Sequence, residues 1–243
     1  TQRHPLMSTH TEGKTAVIVV TSDKGLAGSL NAAVLKETYT LIENGPSDAF
    51  ELICFGKKSY EHFLRRGYSI PLHYVNVKDD VALGDMGDVV THVVKAFSDK
   101  KYQKVYVVYQ SFISTFEQKA VAKQILPLDP TTLTEVVRDI VPARGRYSET
   151  TVESHAPTYT IEPGADTVFV SLFPMLIRIF VYHALLESKA SEHSARMVAM
   201  KNATDKAKEV TKTLTLSFNK ARQAVITREV SEITGGIEAM KTS

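Results

Sequence analysis

Between Pro174 and Gly235 the chain runs for sixty residues without a glycine or a proline. Nearly every side chain in that run is a good or neutral helix former, which predicts one very long helix. At about 1.5 Å of rise per residue it would reach about 90 Å, several times the diameter of a small domain. It therefore cannot be a core element from end to end, and it is expected to leave a folded body and engage something else.

The apolar content, 43% of 243 residues, suffices for one substantial core plus an extension, or for two modest domains. The helix favours the extension. A formal net charge of +2 argues against a dedicated nucleic-acid binder and leaves acidic protein partners open through local clusters. The single cysteine, Cys54, lies in the apolar run Glu51-Leu-Ile-Cys-Phe-Gly56 and reads as a small buried hydrophobe. With no second cysteine there is no disulfide framework, which suits a reducing compartment. The longest apolar stretch, residues 168–186, is interrupted by Pro174, Arg178 and His183 and reads as part of a soluble chain, with no direct membrane insertion. Residues 1–7 show neither the apolar core of a signal peptide nor the pattern of a transit peptide.

From Thr15 onward, apolar runs alternate with amphipathic segments, the pattern of strands joined by crossover helices. Residues 15–21 are β-branched and apolar on both faces, as a central parallel strand would be. A helix with Leu30, Val34, Tyr39 or Thr38, and Leu41 on its apolar face follows, ending at Asn44-Gly45-Pro46. Further strands are expected at 51–55, 73–77 (an edge) and 104–110, with helices at 57–66 and 85–98. Residues 119–128 and 158–161 suit extended segments, and the polar, proline-punctuated stretch 129–157 reads as loop. Pro163-Gly164 then leads into the long helix, with Asp166 as a candidate cap and Pro174 as a kink or a starting point. The fold class is therefore α/β: a Rossmann-like, largely parallel sheet body over residues 1–162 and a very long helix over 163–243.

The sharpest local motif is Thr21-Ser-Asp-Lys-Gly-Leu-Ala-Gly-Ser-Leu-Asn31, where a strand ends, two glycines follow three apart and a helix begins. α/β folds cradle phosphates at such places. The spacing matches neither the dinucleotide nor the P-loop pattern, so Gly25 and Gly28 read as a structural strand-to-helix turn. Eight histidines form no metal-ligand spacing, and no nucleophile elbow is present. Neither a catalytic constellation nor a metal site is predicted.

Near the end of the long helix Ile226, Val230, Ile233, Ile237 and Met240 recur at alternating spacings of four and three, a heptad seam that needs a helical partner. Upstream, Met197, Met200, Ala203, Ala207, Val210, Leu214, Phe218 and Ala221 form smaller, overlapping stripes. Periodicity alone describes a coiled-coil stalk. Gly235 and Gly236 each weaken the helix by about 1 kcal/mol relative to alanine, and fraying or local adjustment is expected there.

Ala190-Ser-Glu-His-Ser-Ala-Arg-Met-Val-Ala-Met-Lys-Asn-Ala-Thr-Asp205 and Asn219-Lys-Ala-Arg-Gln-Ala-Val-Ile-Thr-Arg-Glu-Val-Ser-Glu-Ile233 resemble the C-terminal signature of the gamma subunit of bacterial-type F-type ATP synthases. Residues 21–31 resemble that family's Ser-Asp-Arg-Gly-Leu-Cys-Gly-Gly-Leu-Asn, with Lys24 for Arg, Ala27 for Cys and Ser29 for Gly. The resemblance implies a non-catalytic rotor: an α/β foot, and a long antiparallel coiled coil entering a ring of alternating alpha and beta subunits. Those subunits would hold the nucleotides, and this one would need no cofactor. It also implies an epsilon subunit and a c ring docking at the foot, at the cytoplasmic face of a bacterial inner membrane. By the same resemblance Arg222, Gln223 and Thr227 would touch an acidic loop of the beta subunit. The family begins with another long helix upstream of the region matching His4-Pro5. That helix would be the natural cover of the seam at 226–240, so the seam is expected to stand uncovered in this sequence.

Two other function classes remain open to the residues alone. One is a Rossmann-like nucleotide-dependent enzyme with a coiled-coil oligomerisation arm. The other is an α/β regulatory module that docks through the arm.

Overall fold

The structure, a computed structural model, describes residues 4–43, 45–140 and 164–241. Internal contacts divide the chain into two units, Thr1–Arg196 and Met197–Ser243.

The first unit is built on five strands: β1 (Lys14–Val20), β2 (Phe50–Phe55), β3 (Ser69–Tyr74), β4 (Tyr102–Phe112) and β5 (Gln118–Leu126). Their spatial order is β3-β2-β1-β4-β5. The first four are parallel and β5 runs antiparallel to β4, giving a mixed, mostly parallel sheet. β1 lies between β2 and β4 and is buried from Ala16 to Val20, as its unbroken apolar run requires.

Successive residues of a strand point to opposite faces, and the two faces collect different cores. Ala16, Ile18, Val20, Ile53, Phe55, Val105, Val107 and Tyr109 face one layer, with α3 (Gly87–Ser98) and the start of α5 (Ala165–Lys241). Val17, Val19, Leu52, Cys54 and Val108 face the other, covered by α1 (Leu30–Ile42) and α2 (Lys57–Leu64). Cys54 is fully buried, and burial pushes its thiol up to about 12, so it is an inert core side chain.

α5 is a single helix of 77 residues that runs through Pro174, Gly235 and Gly236. Its apolar stretch meets the length and composition needed to cross a bilayer. In the structure, however, Phe173, Ile177, Phe180, Val181, Ala184 and Leu185 are buried in the first of the two cores. Spacings of four, three, one, three and one place them on the helix face turned to the sheet.

Several sequence expectations are corrected by these contacts. The edge strand is Ser69–Tyr74, not 73–77, because an outer strand tolerates Pro71 while its other side pairs with β2. In α1 the buried row is Leu30, Val34, Thr38 and Ile42; Leu41 and Tyr39 are only partly buried. The Thr38 hydroxyl is satisfied by donating to the Val34 carbonyl. Residues read as loop form α4 (Pro130–Ile140), whose Thr132 amide donates to Asp129 Oδ1 at 2.7 Å. α5 begins one residue ahead of Asp166. The extended segment expected at 158–161, and the loop beyond residue 140, lie outside the described residues.

One buried charge ties the amino-terminal edge of the sheet together. Glu51 on β2 accepts from Lys14 Nζ at 3.2 Å, Lys101 Nζ at 3.0 Å and the Tyr102 hydroxyl at 2.8 Å. His92 Nε2 lies 3.1 Å from the same hydroxyl. Burial pushes the carboxyl up, but these donors outweigh it and hold Glu51 below its usual range. A depressed native carboxyl contributes stability above its unfolded pKa and loses it as pH falls through the native value. We expect Glu51→Gln to cost about 1–3 kcal/mol at neutral pH, the lysines being half exposed. Urea unfolding across the acidic range should show that the variant has lost part of the wild-type acid dependence.

Candidate functional site

In open α/β sheets, ligands lie outside the carboxyl ends of the strands, at the point where strand order reverses. Here that point falls between β1 and β4, since β2 and β3 lie on one side of β1 and β4 on the other. The chain fills this crevice with its own groups. The Gln110 amide of β4 donates to Ser188 Oγ of α5 at 3.0 Å, and Ser191 Oγ donates to the Gln110 carbonyl at 3.3 Å. Both serines are buried. Val20, Thr21, Ser22, Leu185, Lys189 and Glu192 line the small cleft that remains.

The loop after β1 is also engaged internally. The first amides of a helix are unsatisfied donors and attract anions. At α2 they are taken by the three residues that follow β1. Lys57 N donates to Asp23 Oδ1 at 2.9 Å, Lys58 N to the Ser22 carbonyl at 3.2 Å and Ser59 N to Thr21 Oγ1 at 2.9 Å. Asn31 at the start of α1 accepts from Ser22 N at 2.9 Å and donates to Ser22 Oγ at 2.7 Å. Of the two glycines singled out by sequence, Gly28 takes a left-handed φ of +60°. Gly25 does not, and Leu26 between them does, at +63°, with an exposed side chain.

The most tightly enclosed glycine that sequence reading missed is Gly56. Its φ is +90°, and an added Cβ would lie 2.1 Å from the Thr21 carbonyl oxygen. Its signal was a glycine between an apolar strand and an amphipathic helix.

In the unit Met197–Ser243, Ile226, Val230, Ile233, Ile237 and Met240 are all exposed, from 50% to 81%. Arg222 precedes Ile226 by four residues and so continues that row by one turn, while Gln223 and Thr227 lie beside it. All three side chains are exposed, and the Thr227 carbonyl accepts from Ser231 Oγ at 2.8 Å. The Arg228–Glu232 pair at 3.6 Å is a surface contact of little energy. Among the described residues, no group of three or more His, Cys, Asp or Glu side chains could hold a metal ion.

A mostly parallel five-strand sheet with a long C-terminal helix is also the architecture of solved ATP synthase central-stalk structures. A chain in the structure of the central stalk and c ring of the Tetrahymena thermophila mitochondrial ATP synthase matches with a TM-score of 0.60 and 26% identity, over 81% of this chain and 79% of that one. A chain of the Euglena gracilis mitochondrial ATP synthase matches in fold with a TM-score of 0.64 and 20% identity, over 94% of this chain and 73% of that one. The ATP synthase family profile matches residues 1–240. The ATP synthase gamma chain of Pelotomaculum thermopropionicum is 38% identical over 238 residues, 98% of this chain and 78% of that protein. The chain belongs to the ATP synthase gamma-chain family.

The close approach at Gly56 generates a direct test. Gly56→Ala combines a strained φ with a backbone collision and should cost about 3 kcal/mol or more. Thermal unfolding of the variant and wild type would measure it; Gly28→Ala, in open space, should cost less.

Proposed function

We propose that this chain is the central-stalk rotor of a proton- or sodium-translocating F-type ATP synthase, coupling rotation of a membrane c ring to conformational change in the catalytic alpha and beta subunits. The observation that carries this reading is the continuous helix Ala165–Lys241, anchored in an α/β core at one end and bearing an uncovered apolar row at the other. On this reading residues 1–162 serve as foot and 163–243 as shaft. Epsilon and the c ring dock on the foot, the broad surface of the chain. The chain works peripherally, at the cytoplasmic face of a bacterial inner membrane.

The chain needs no catalytic site of its own. Filling of the crevice by Ser188 and Ser191, and of the α2 amides by Thr21, Ser22 and Asp23, supports that reading over a nucleotide-dependent enzyme. Titrating ATP or NAD against the chain should give no tight saturable site, whereas a tight site would favour the enzyme. Copurification with alpha and beta subunits, and acceleration of their ATP hydrolysis, tests the rotor directly.

Arg222, Gln223 and Thr227 form a polar cluster beside an apolar row, suited to an acidic beta-subunit loop. A contact remade at successive stations has to be moderate, and hydrogen bonds to charged groups contribute about 1.5–3 kcal/mol each. Arg222→Ala with Gln223→Leu should lower ATP synthesis or ATP-driven rotation in the assembled complex by about tenfold, while assembly and the melting point of the chain stay unchanged. Full activity with unchanged salt dependence would remove these side chains from the contact.

A further inference from the structure

An apolar helix–sheet interface is non-directional, so it resists separation better than it resists turning or sliding of the helix. Hydrogen bonds with fixed geometry supply the missing constraint. At the carboxyl edge of the sheet such bonds hold one stretch of α5 from two sides. On the β4 side they are the Ser188 and Ser191 contacts to Gln110. On the β3 side they run through residues 75–80, which link β3 to the 3-10 turn at Leu83–Met86.

That segment is gripped at both of its faces. Asn76, with a left-handed φ of +56°, and Val77 turn consecutive amides onto the Asp23 carboxylate, at 2.9 Å to Oδ1 and 3.1 Å to Oδ2. Asp23 Oδ1 simultaneously accepts from Lys57 N of α2. From the other face Lys189 of α5 donates to the Val77 carbonyl at 2.7 Å and to Asp79 Oδ1 at 3.2 Å. His193 Nε2, one turn on, lies 3.3 Å from Asp79 Oδ2. Lys189 is only 16% exposed, and its hydrogen bond holds the Asp79 carboxyl below the usual carboxylate range. Val77 stands at the centre: its N–H belongs to Asp23 and its C=O to α5.

We propose that residues 75–80 are a strap that locks α5 in register against the sheet, with Asp23 and Lys189 as its two anchors, and that it carries torque between the body and the shaft. The second clause rests on the rotor reading; the first does not. Asp23 and Lys189 act through the strap as positioning residues and need touch no partner.

The test uses Asp23→Asn, Lys189→Met, the double variant and the conservative Lys189→Arg, first in the full chain and then in the complete complex reconstituted in a membrane. In the full chain, amide exchange at Asn76 and Val77 should speed up by about tenfold in each of the first two variants. The double variant should add little, because both anchors hold the same segment, and Lys189→Arg should stay near wild type. In the complex, unloaded ATP hydrolysis should persist while ATP synthesis, which works against load, falls by about fivefold or more. Unchanged exchange, or strictly additive effects, would overturn the strap. Coupled exchange with normal synthesis would overturn its torque-bearing role and leave the rotor reading intact. Failure of the wild-type chain to assemble with alpha and beta would instead overturn the rotor reading.

Discussion

The structure depends on the burial of the first part of α5 against the central strands. Phe173, Ile177, Phe180, Val181, Ala184 and Leu185 leave water together and join Ile18, Val20, Val107 and Tyr109 in one core. Burying a large apolar side chain contributes about 1.5–3 kcal/mol, so this stripe supplies much of the core's stability and fixes the helix as part of the body. A helix of this length has little tertiary support of its own, since helical stability comes mainly from packing an amphipathic face.

That dependence explains the division of chemistry along the chain. Where α5 meets the carboxyl edge of the sheet, its polar groups turn inward to Gln110, Val77 and Asp79, in the crevice that related architectures keep open for ligands. Beyond the body the helix carries exposed apolar residues at heptad spacing, which water penalises and a partner helix relieves. The same element thus closes the customary ligand site with its polar groups and carries an exposed apolar row further along.

Much of this was legible in the sequence because the signals were local. The β-branched run at β1 and the glycine- and proline-free stretch of α5 need only periodicity and propensity. α4 was misread although its signal was present: Asp129 before Pro130 and Thr132 is a capping residue followed by proline in the first turn, where proline starts a helix. β3 was read as an edge but placed too late in the chain; the strand includes Pro71, which the edge position accommodates. The Glu51 cluster and the capping of α2 by Thr21, Ser22 and Asp23 were out of reach. Their partners lie more than thirty residues apart, and only the sheet order brings them together. The glycine motif after β1 suggests an anion site by local pattern, while the anion present is the chain's own Asp23.

The central claim is that the body and the long helix turn as one rotor inside a catalytic head, and watching the body move tests it most directly. Cys54 is buried and its thiol inert, so a cysteine introduced on α1 as Lys36→Cys gives a single labelling point on the body. With the chain assembled with alpha and beta subunits fixed to a surface, a probe on that cysteine should rotate stepwise and in one direction when ATP is added, and stop when it is removed. A probe that stays still, or only fluctuates, while the same complexes hydrolyse ATP would contradict the account.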